Sequence, residues 1–145
     1  MTTWMKWCFV AVLGLFVLAC QERPDVPVDP VWGKEKCAHC AMLVGDRAYA
    51  AQVTTKDGAR LYFDDIGCMV QKLQEGEVVV DHAWVHHETE PVWLDATHAR
   101  YRHGARTPMD SGFSATREEQ GTVSYSDMIK RVMQKRAEGG GHGHH

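Results

Sequence analysis

Tyr49-Ala50-Ala51-Gln52-Val53-Thr54-Thr55-Lys56-Asp57-Gly58-Ala59-Arg60-Leu61-Tyr62-Phe63-Asp64-Asp65-Ile66-Gly67-Cys68-Met69-Val70-Gln71-Lys72-Leu73 is the stretch that decides the fold. Residues 49–54 and 60–63 are β-prone runs. Lys56-Asp57-Gly58 between them is a hairpin signal, because glycine accepts the left-handed backbone of a tight turn. Immediately afterwards Ile66, Met69, Val70 and Leu73 recur at helical spacing, with Asp64 placed as the N-cap. The stretch therefore predicts strand, turn, strand, helix, and residues 83–87 and 92–95 supply further strands.

Sliding the chain by 63 positions repeats the pattern: Gly58, Tyr62, Asp64, Ile66, Gln71 and Lys72 fall on Gly121, Tyr125, Asp127, Ile129, Gln134 and Lys135. In this second half, residues 113–118 and 122–125 are the expected strands on either side of Gln120-Gly121. Ser126 is the expected cap of a helix with Met128, Ile129, Val132 and Met133 inside. The fold class is then α+β, built from two small homologous strand-strand-helix-strand units related by duplication, residues 36–90 and 91–137. Units of about 60 residues are marginal alone, so they share a core or lean on a bound metal.

The flanks are read separately. In residues 1–19 the only ionisable side chain is Lys6, and residues 10–19 form an apolar run too short to span a bilayer, as in a signal peptide. Its end, Val17-Leu18-Ala19-Cys20, resembles a bacterial lipoprotein box, which makes Cys20 a lipid anchor. The alternative is an ordinary secretory peptide cleaved nearby. Either way the chain is expected to be exported, to the periplasm, and Gln21 after the cysteine favours the outer membrane. Residues 20–35, with three prolines between Gln21 and Pro30, look like a linker that holds the domain off the membrane. Residues 138–145 form a Gly/His tail in which His142, His144 and His145 either gather metal or are simply a solvated end.

Composition narrows the function. The chain has 145 residues, 44% hydrophobic and 24% charged, as in one ordinary folded domain. With 16 basic against 19 acidic residues it lacks the positive field a nucleic acid would need, so no nucleic acid is expected as partner. Five Cys, seven Met and nine His stand out as metal-selecting side chains.

Three constellations carry that chemistry. Cys37-Ala38-His39-Cys40-Ala41-Met42 offers two thiolates, an imidazole and a thioether, a donor set suited to a soft ion such as Cu(I). In an exported protein the same Cys-x-x-Cys is also read as a structural disulfide or a redox pair. Asp64-Asp65-Ile66-Gly67-Cys68-Met69 places Cys68 about 160° from the apolar stripe, on the outer side of its helix, where no buried structural cysteine belongs. Asp64 and Asp65 are either ligands or ordinary helix-start carboxylates, and Met69 is core. Thr107-Pro108-Met109-Asp110-Ser111-Gly112-Phe113 puts Met109 outside any apolar period, in a place comparable with Met42. It either joins Cys40 and Met42 at a seam between the units or fills a gap there. Of the remaining histidines, His82, His86, His87, His98 and His103 read as mostly surface residues, with His86 and His87 on opposite faces of a strand.

Taken in order, Cys37-x-x-Cys40-x-Met42, Tyr49-Ala50-Ala51-Gln52, Phe63-Asp64-Asp65-Ile66-Gly67-Cys68-Met69, Trp93-Leu94-Asp95-Ala96 and Thr107-Pro108-Met109-x-x-Gly112-Phe113 resemble the NosL family of copper-binding lipoproteins. The resemblance implies a fold similar to the organomercurial lyase. It implies a periplasmic Cu(I) metallochaperone binding one ion per monomer, with nitrous oxide reductase and its ABC-type membrane assembly complex as partners. Cys40, Met42 and Met109 are then the first-ranked ligands, with Cys37, Cys68, Asp64 and Asp65 behind them. Ala41 departs from the family, which often has glycine there. Transfer by ligand exchange needs no nucleophile or general base, so neither catalytic turnover nor a small-molecule substrate is expected. Two other functions stay open: a thiol-disulfide oxidoreductase using Cys37 and Cys40, and an organomercurial-lyase-like enzyme using cysteines and an aspartate.

Overall fold

The structure is a computed structural model that describes residues 23–139. The expected signal peptide, Cys20 and the tail histidines lie outside these residues. Six strands and two helices follow in the order β1 (Ala51–Thr55), β2 (Arg60–Phe63), α1 (Ile66–Gln74), β3 (Val80–His86), β4 (Trp93–Asp95), β5 (Arg100–His103), β6 (Phe113–Thr116) and α2 (Tyr125–Gly139). The class is α+β, and every strand pairing is antiparallel. Among the described residues no helix is long and apolar enough to cross a membrane.

The β1–β2 hairpin and the helix after it form as the opening stretch predicts. Gly58 takes a φ of +88° at the turn, a conformation that strains any residue with a Cβ. The cap shifts by one position. Asp65, not Asp64, is extended at the helix start, and its carboxylate accepts from the Gly67 amide at 2.7 Å. In α2 the cap also moves, to Ser124, whose Oγ accepts from the Asp127 amide at 3.2 Å. Met128 and Val132 are buried and Ile129 and Met133 half-buried, the inner face that their spacing predicts.

The second half pairs differently from the first. The four-stranded sheet has the order β2-β1-β3-β4, so β4 completes the first sheet rather than opening a second unit. β6 ends at Thr116 and pairs with β5, and the expected strand at 122–125 reduces to one bridge from Val123 to Tyr101. Gly121 shows the physical reason. A Cβ there would stand 2.4 Å from the Cβ of Arg100, so this glycine lets the chain cross close over β5, whereas the matching Gly58 supplies a turn into open space.

His87 joins the two sheets. It bridges Ala115 of β6, and the Glu88 amide donates to the Ala115 carbonyl at 2.9 Å. Contrary to a surface role, His86 and His87 are both buried. His86 packs edge-on against Trp32 and Trp93. His87 Nδ1 accepts from the Thr89 and Glu90 amides at 3.2 and 3.0 Å. A strand histidine with backbone partners within three residues needs no solvent.

Residues 23–30, expected as part of a free linker, lie against the outer face of the first sheet. Alternation along β1 sends Gln52 and Thr54 to that face, yet Gln52 is fully buried, because the segment covers it. Gln52 Oε1 accepts from the Val28 amide at 3.0 Å, Thr54 Oγ1 donates to the Pro24 carbonyl at 2.9 Å, and Tyr62 Oη donates to the Val28 carbonyl at 3.1 Å. Trp93 Nε1 donates to Asp29 at 2.8 Å. A proline-bearing segment outside any sheet, its carbonyls without strand partners, suits a sheet face that presents polar side chains. Removing residues 23–30 is expected to lower unfolding stability by about 2–4 kcal/mol in denaturant titration, since these four hydrogen bonds and two more from Arg60 to the Arg23 and Val26 carbonyls are worth about 0.5 kcal/mol each where largely exposed. An unchanged midpoint would show that the segment merely rests there.

Candidate metal centre

The end of the first sheet away from the hairpin turn carries the thiols. The Ala38 amide donates to the Tyr62 carbonyl at 2.8 Å, which lays the loop of residues 37–42 against the end of β2. The loop closes on itself through the Cys37 amide to the Met42 carbonyl at 2.7 Å and the Ala41 amide to the Cys37 carbonyl at 3.0 Å. Closure needs a left-handed residue, and Ala41 takes a φ of 63°.

Cys68, expected on the outer side of its helix, is buried. The first five residues of α1 are all buried, so the outward side of its first turn is covered too. The Cys37 loop covers it on one flank, and Gly67 admits Ser111 on the other. A Cβ on Gly67 would lie 2.5 Å from the Ser111 Cβ. Spacing along one helix does not reveal cover supplied by distant loops.

As a result the sulfurs of Cys37, Cys40 and Cys68 all lie within 4.8 Å of one another, and all three thiols are free. Metal–sulfur bonds of about 2.3 Å hold two sulfurs no more than about 4.6 Å apart, so the group is nearly at ligand spacing. Cys37 and Cys68 are buried and Cys40 is half-buried, which leaves one side of the cluster accessible.

The three sulfurs do not titrate alike. The Cys68 thiol donates to the Cys37 sulfur, backbone amides of Cys40, Asp64 and His39 point at it as well, and Cys37 is held down to about 4 from 9.0 against its own burial. Cys68 is pushed up, first because its proton is held by Cys37 and then by burial. Burial also raises Cys40. The cluster at neutral pH is one thiolate and two thiols.

Asp64 and Asp65 stand outside this sulfur group and act on the loops around it. Asp65 is fully buried and uses both oxygens on amides: Oδ1 on Gly67 and Oδ2 on Met109, at 2.9 Å for the second. Asp64 accepts from the Gly45 amide at 3.1 Å, and burial raises its pKa. His39, offered by the sequence as an imidazole ligand, instead has Nδ1 3.4 Å from Glu75 at the end of α1.

Met42 and Met109 carry their side chains half-exposed, at 50% and 42%. Met109 sits in a turn closed by the Asp110 amide to the Thr107 carbonyl at 3.1 Å, and Asp110 has a φ of 57°. Lys135 of α2 ties that turn down through the Asp110 carboxylate at 2.9 Å. A gap-filling role for Met109 does not fit so exposed a side chain. Neither Lys135 nor the contact between Gly67 and Ser111 carries a sequence signal, since both depend on how the second half docks.

The Cys37 thiolate is expected to show as ultraviolet absorbance near 240 nm that titrates away only as pH falls toward about 4. Cys68→Ala should move that titration upward, because it removes the main donor. The linkage has two signs. Cys37, lowered, adds stability that is present above 9.0 and lost as pH falls toward about 4. Cys40 and Cys68, raised, add stability that is lost as pH climbs beyond 9.0. Ala41→Gly relieves a left-handed alanine and is expected to raise stability by up to about 1 kcal/mol in thermal unfolding.

No family model matches the chain, and no curated protein matches it in sequence. Among solved structures it is similar to the crystal structure of the copper chaperone NosL from Shewanella denitrificans, with a TM-score of 0.56 at 15% identity. The match covers 74% of this chain and 87% of that one. At that identity the likeness is one of fold, and it agrees with the NosL resemblance that the cysteine and methionine motifs carry. The chain thus has a NosL-like α+β fold, with three thiols brought together where its first sheet meets the Met109 loop.

Proposed function

We propose that this chain is a Cu(I) metallochaperone of the NosL kind, exported to the periplasm and held at the membrane through Cys20. The observation that carries the proposal is the three-thiol cluster, with half-exposed Met42 two residues after Cys40 and half-exposed Met109 tied by its amide to Asp65 at the start of the helix that bears Cys68. A polarizable d¹⁰ ion is held best by thiolate and thioether sulfur, and the loops offer both. Zinc would use the thiols but gain little from the thioethers. The duplicated ancestry and the likeness to the organomercurial lyase belong to the same proposal.

The cargo is taken by ligand exchange. The Cys37 thiolate meets the ion without first losing a proton, and the two thiols give up theirs as they bind. Cys40, half-buried, lies on the accessible side, where the ligand of an acceptor can enter as one sulfur leaves. Asp65 keeps the Met109 turn beside the helix that bears Cys68. The client is a copper centre of nitrous oxide reductase, reached through its ABC-type assembly complex, and no catalytic turnover is involved.

One observation favours a second function. A cysteine held down to about 4, three positions before another, is the pattern of a thiol-disulfide oxidoreductase. That function, and a lyase using Cys37 or Cys40, Cys68 and an aspartate, would both ignore the methionines. Anaerobic Cu(I) titration of the reduced protein against a chromophoric chelator separates the cases. One tight equivalent is expected, at least about tenfold weaker (1.4 kcal/mol) in Cys40→Ala, Cys68→Ala and Met109→Ala. Tight binding indifferent to Met109 would confine the ion to the thiols. Failure to compete for copper would leave the redox or lyase function.

A further inference from the structure

The segment that precedes the fold runs along the sheet in a fixed direction. Toward the hairpin end Thr54 donates to the Pro24 carbonyl at 2.9 Å, and Arg60, whose guanidinium also reaches Gln52 at 2.6 Å, donates to the Arg23 and Val26 carbonyls at 3.2 and 3.0 Å. Farther along, Val28 meets Gln52 and Tyr62, and Asp29 meets Trp93. The chain thus enters beside the hairpin turn and leaves toward the thiols.

We propose that residues 23–30 are a strap that holds the domain on a lipid bilayer in one orientation, with the hairpin turn toward the lipid and the thiols away from it. This rests on Cys20 being acylated, as in the proposed function.

The lengths set the orientation. Only Gln21 and Glu22 separate Cys20 from Arg23. Three peptide steps reach at most about 11 Å. A free linker over residues 20–35 would instead wander by about 20 Å and leave the domain unoriented. From Arg60 to Asp64 along β2 is about 13 Å at 3.3 Å per residue, so the thiols lie at the far end of the sheet from the point of attachment.

The end brought to the lipid has suitable chemistry. Val79 is 67% exposed beside the hairpin turn, and Lys56 donates from its amide to the Val79 carbonyl at 2.9 Å. Leu61, Val78 and Val79 line a groove of about 450 Å³ there together with Lys56, Asp57 and Glu77, and Lys56 is paired with Asp81. Val26, in the strap itself, is 40% exposed. Exposed valines set among polar and charged side chains suit the boundary between headgroups and acyl chains.

The experiment is hydrogen exchange by mass spectrometry on the full acylated protein in phosphatidylethanolamine/phosphatidylglycerol vesicles, against the unacylated Cys20→Ser protein with the same vesicles. Exchange is expected to slow at residues 56–59 and 77–79 and stay unchanged at 38–43 and 105–111. A ten-residue Gly/Ser insertion after Gln21 should abolish the slowing while the protein stays on the vesicles. An unmodified Cys20, slowing at the thiol end, or slowing that survives the insertion would each overturn the proposal. Copper titration of the same vesicles reports separately on the metal function, which does not depend on orientation.

Discussion

One buried carboxylate holds the candidate site together. Asp65 lies inside the protein and presents one oxygen to the first turn of α1 and the other to the backbone of the Met109 turn. A carboxylate buried without partners costs several kcal/mol, so the fold supplies both amides or gives up the charge. That requirement fixes the separation of two segments 44 positions apart. It also explains Gly67, since two backbones drawn to one side chain come too close for a Cβ between them.

The sulfur cluster obeys a related constraint. Three thiols crowded within 4.8 Å cannot all ionise in a buried setting. The fold resolves this by aiming amides at Cys37 and giving Cys68 the role of donor. A cation entering the group would meet one charge already formed and would have to displace the protons that Cys40 and Cys68 hold. Burial holds the nearby Asp64 carboxyl above its ordinary range.

Local structure was legible wherever the signal is local. The hairpin at Gly58, the stripe of Ile66, Met69, Val70 and Leu73, and the inner face of α2 follow from turn chemistry and period. What failed is what depends on docking. Cys68 points away from its own helix stripe and is buried nonetheless, because two loops from elsewhere close over it. His86 and His87 look polar and are buried because tryptophans and backbone amides receive them. The repeat at 63 positions reads as two equal units, but Gly121 and Gly58 answer different steric demands, and β6 finds β5 where β1 finds β2. Gln52 and Thr54 were the one overlooked hint of the strap, two polar residues amid a β-prone run. At the site, the sequence singled out the segments that carry Cys37, Cys40 and Cys68, which the fold brings within 4.8 Å of one another.

The bridge between His87 and Ala115 has a mechanical consequence. It adds to the ties that Asp65 makes to the Met109 turn and Glu88 makes to Ser114, which already join two plates, the four-stranded sheet with its helix and the β5–β6 hairpin. With it, a backbone stitch runs across the seam, and α1 packed against α2 closes the other side. The thiols ride on one plate and Met109 on the other. A body tied this way does not open like a jaw; whatever reaches the three sulfurs has to come to the edge where Cys40 is accessible.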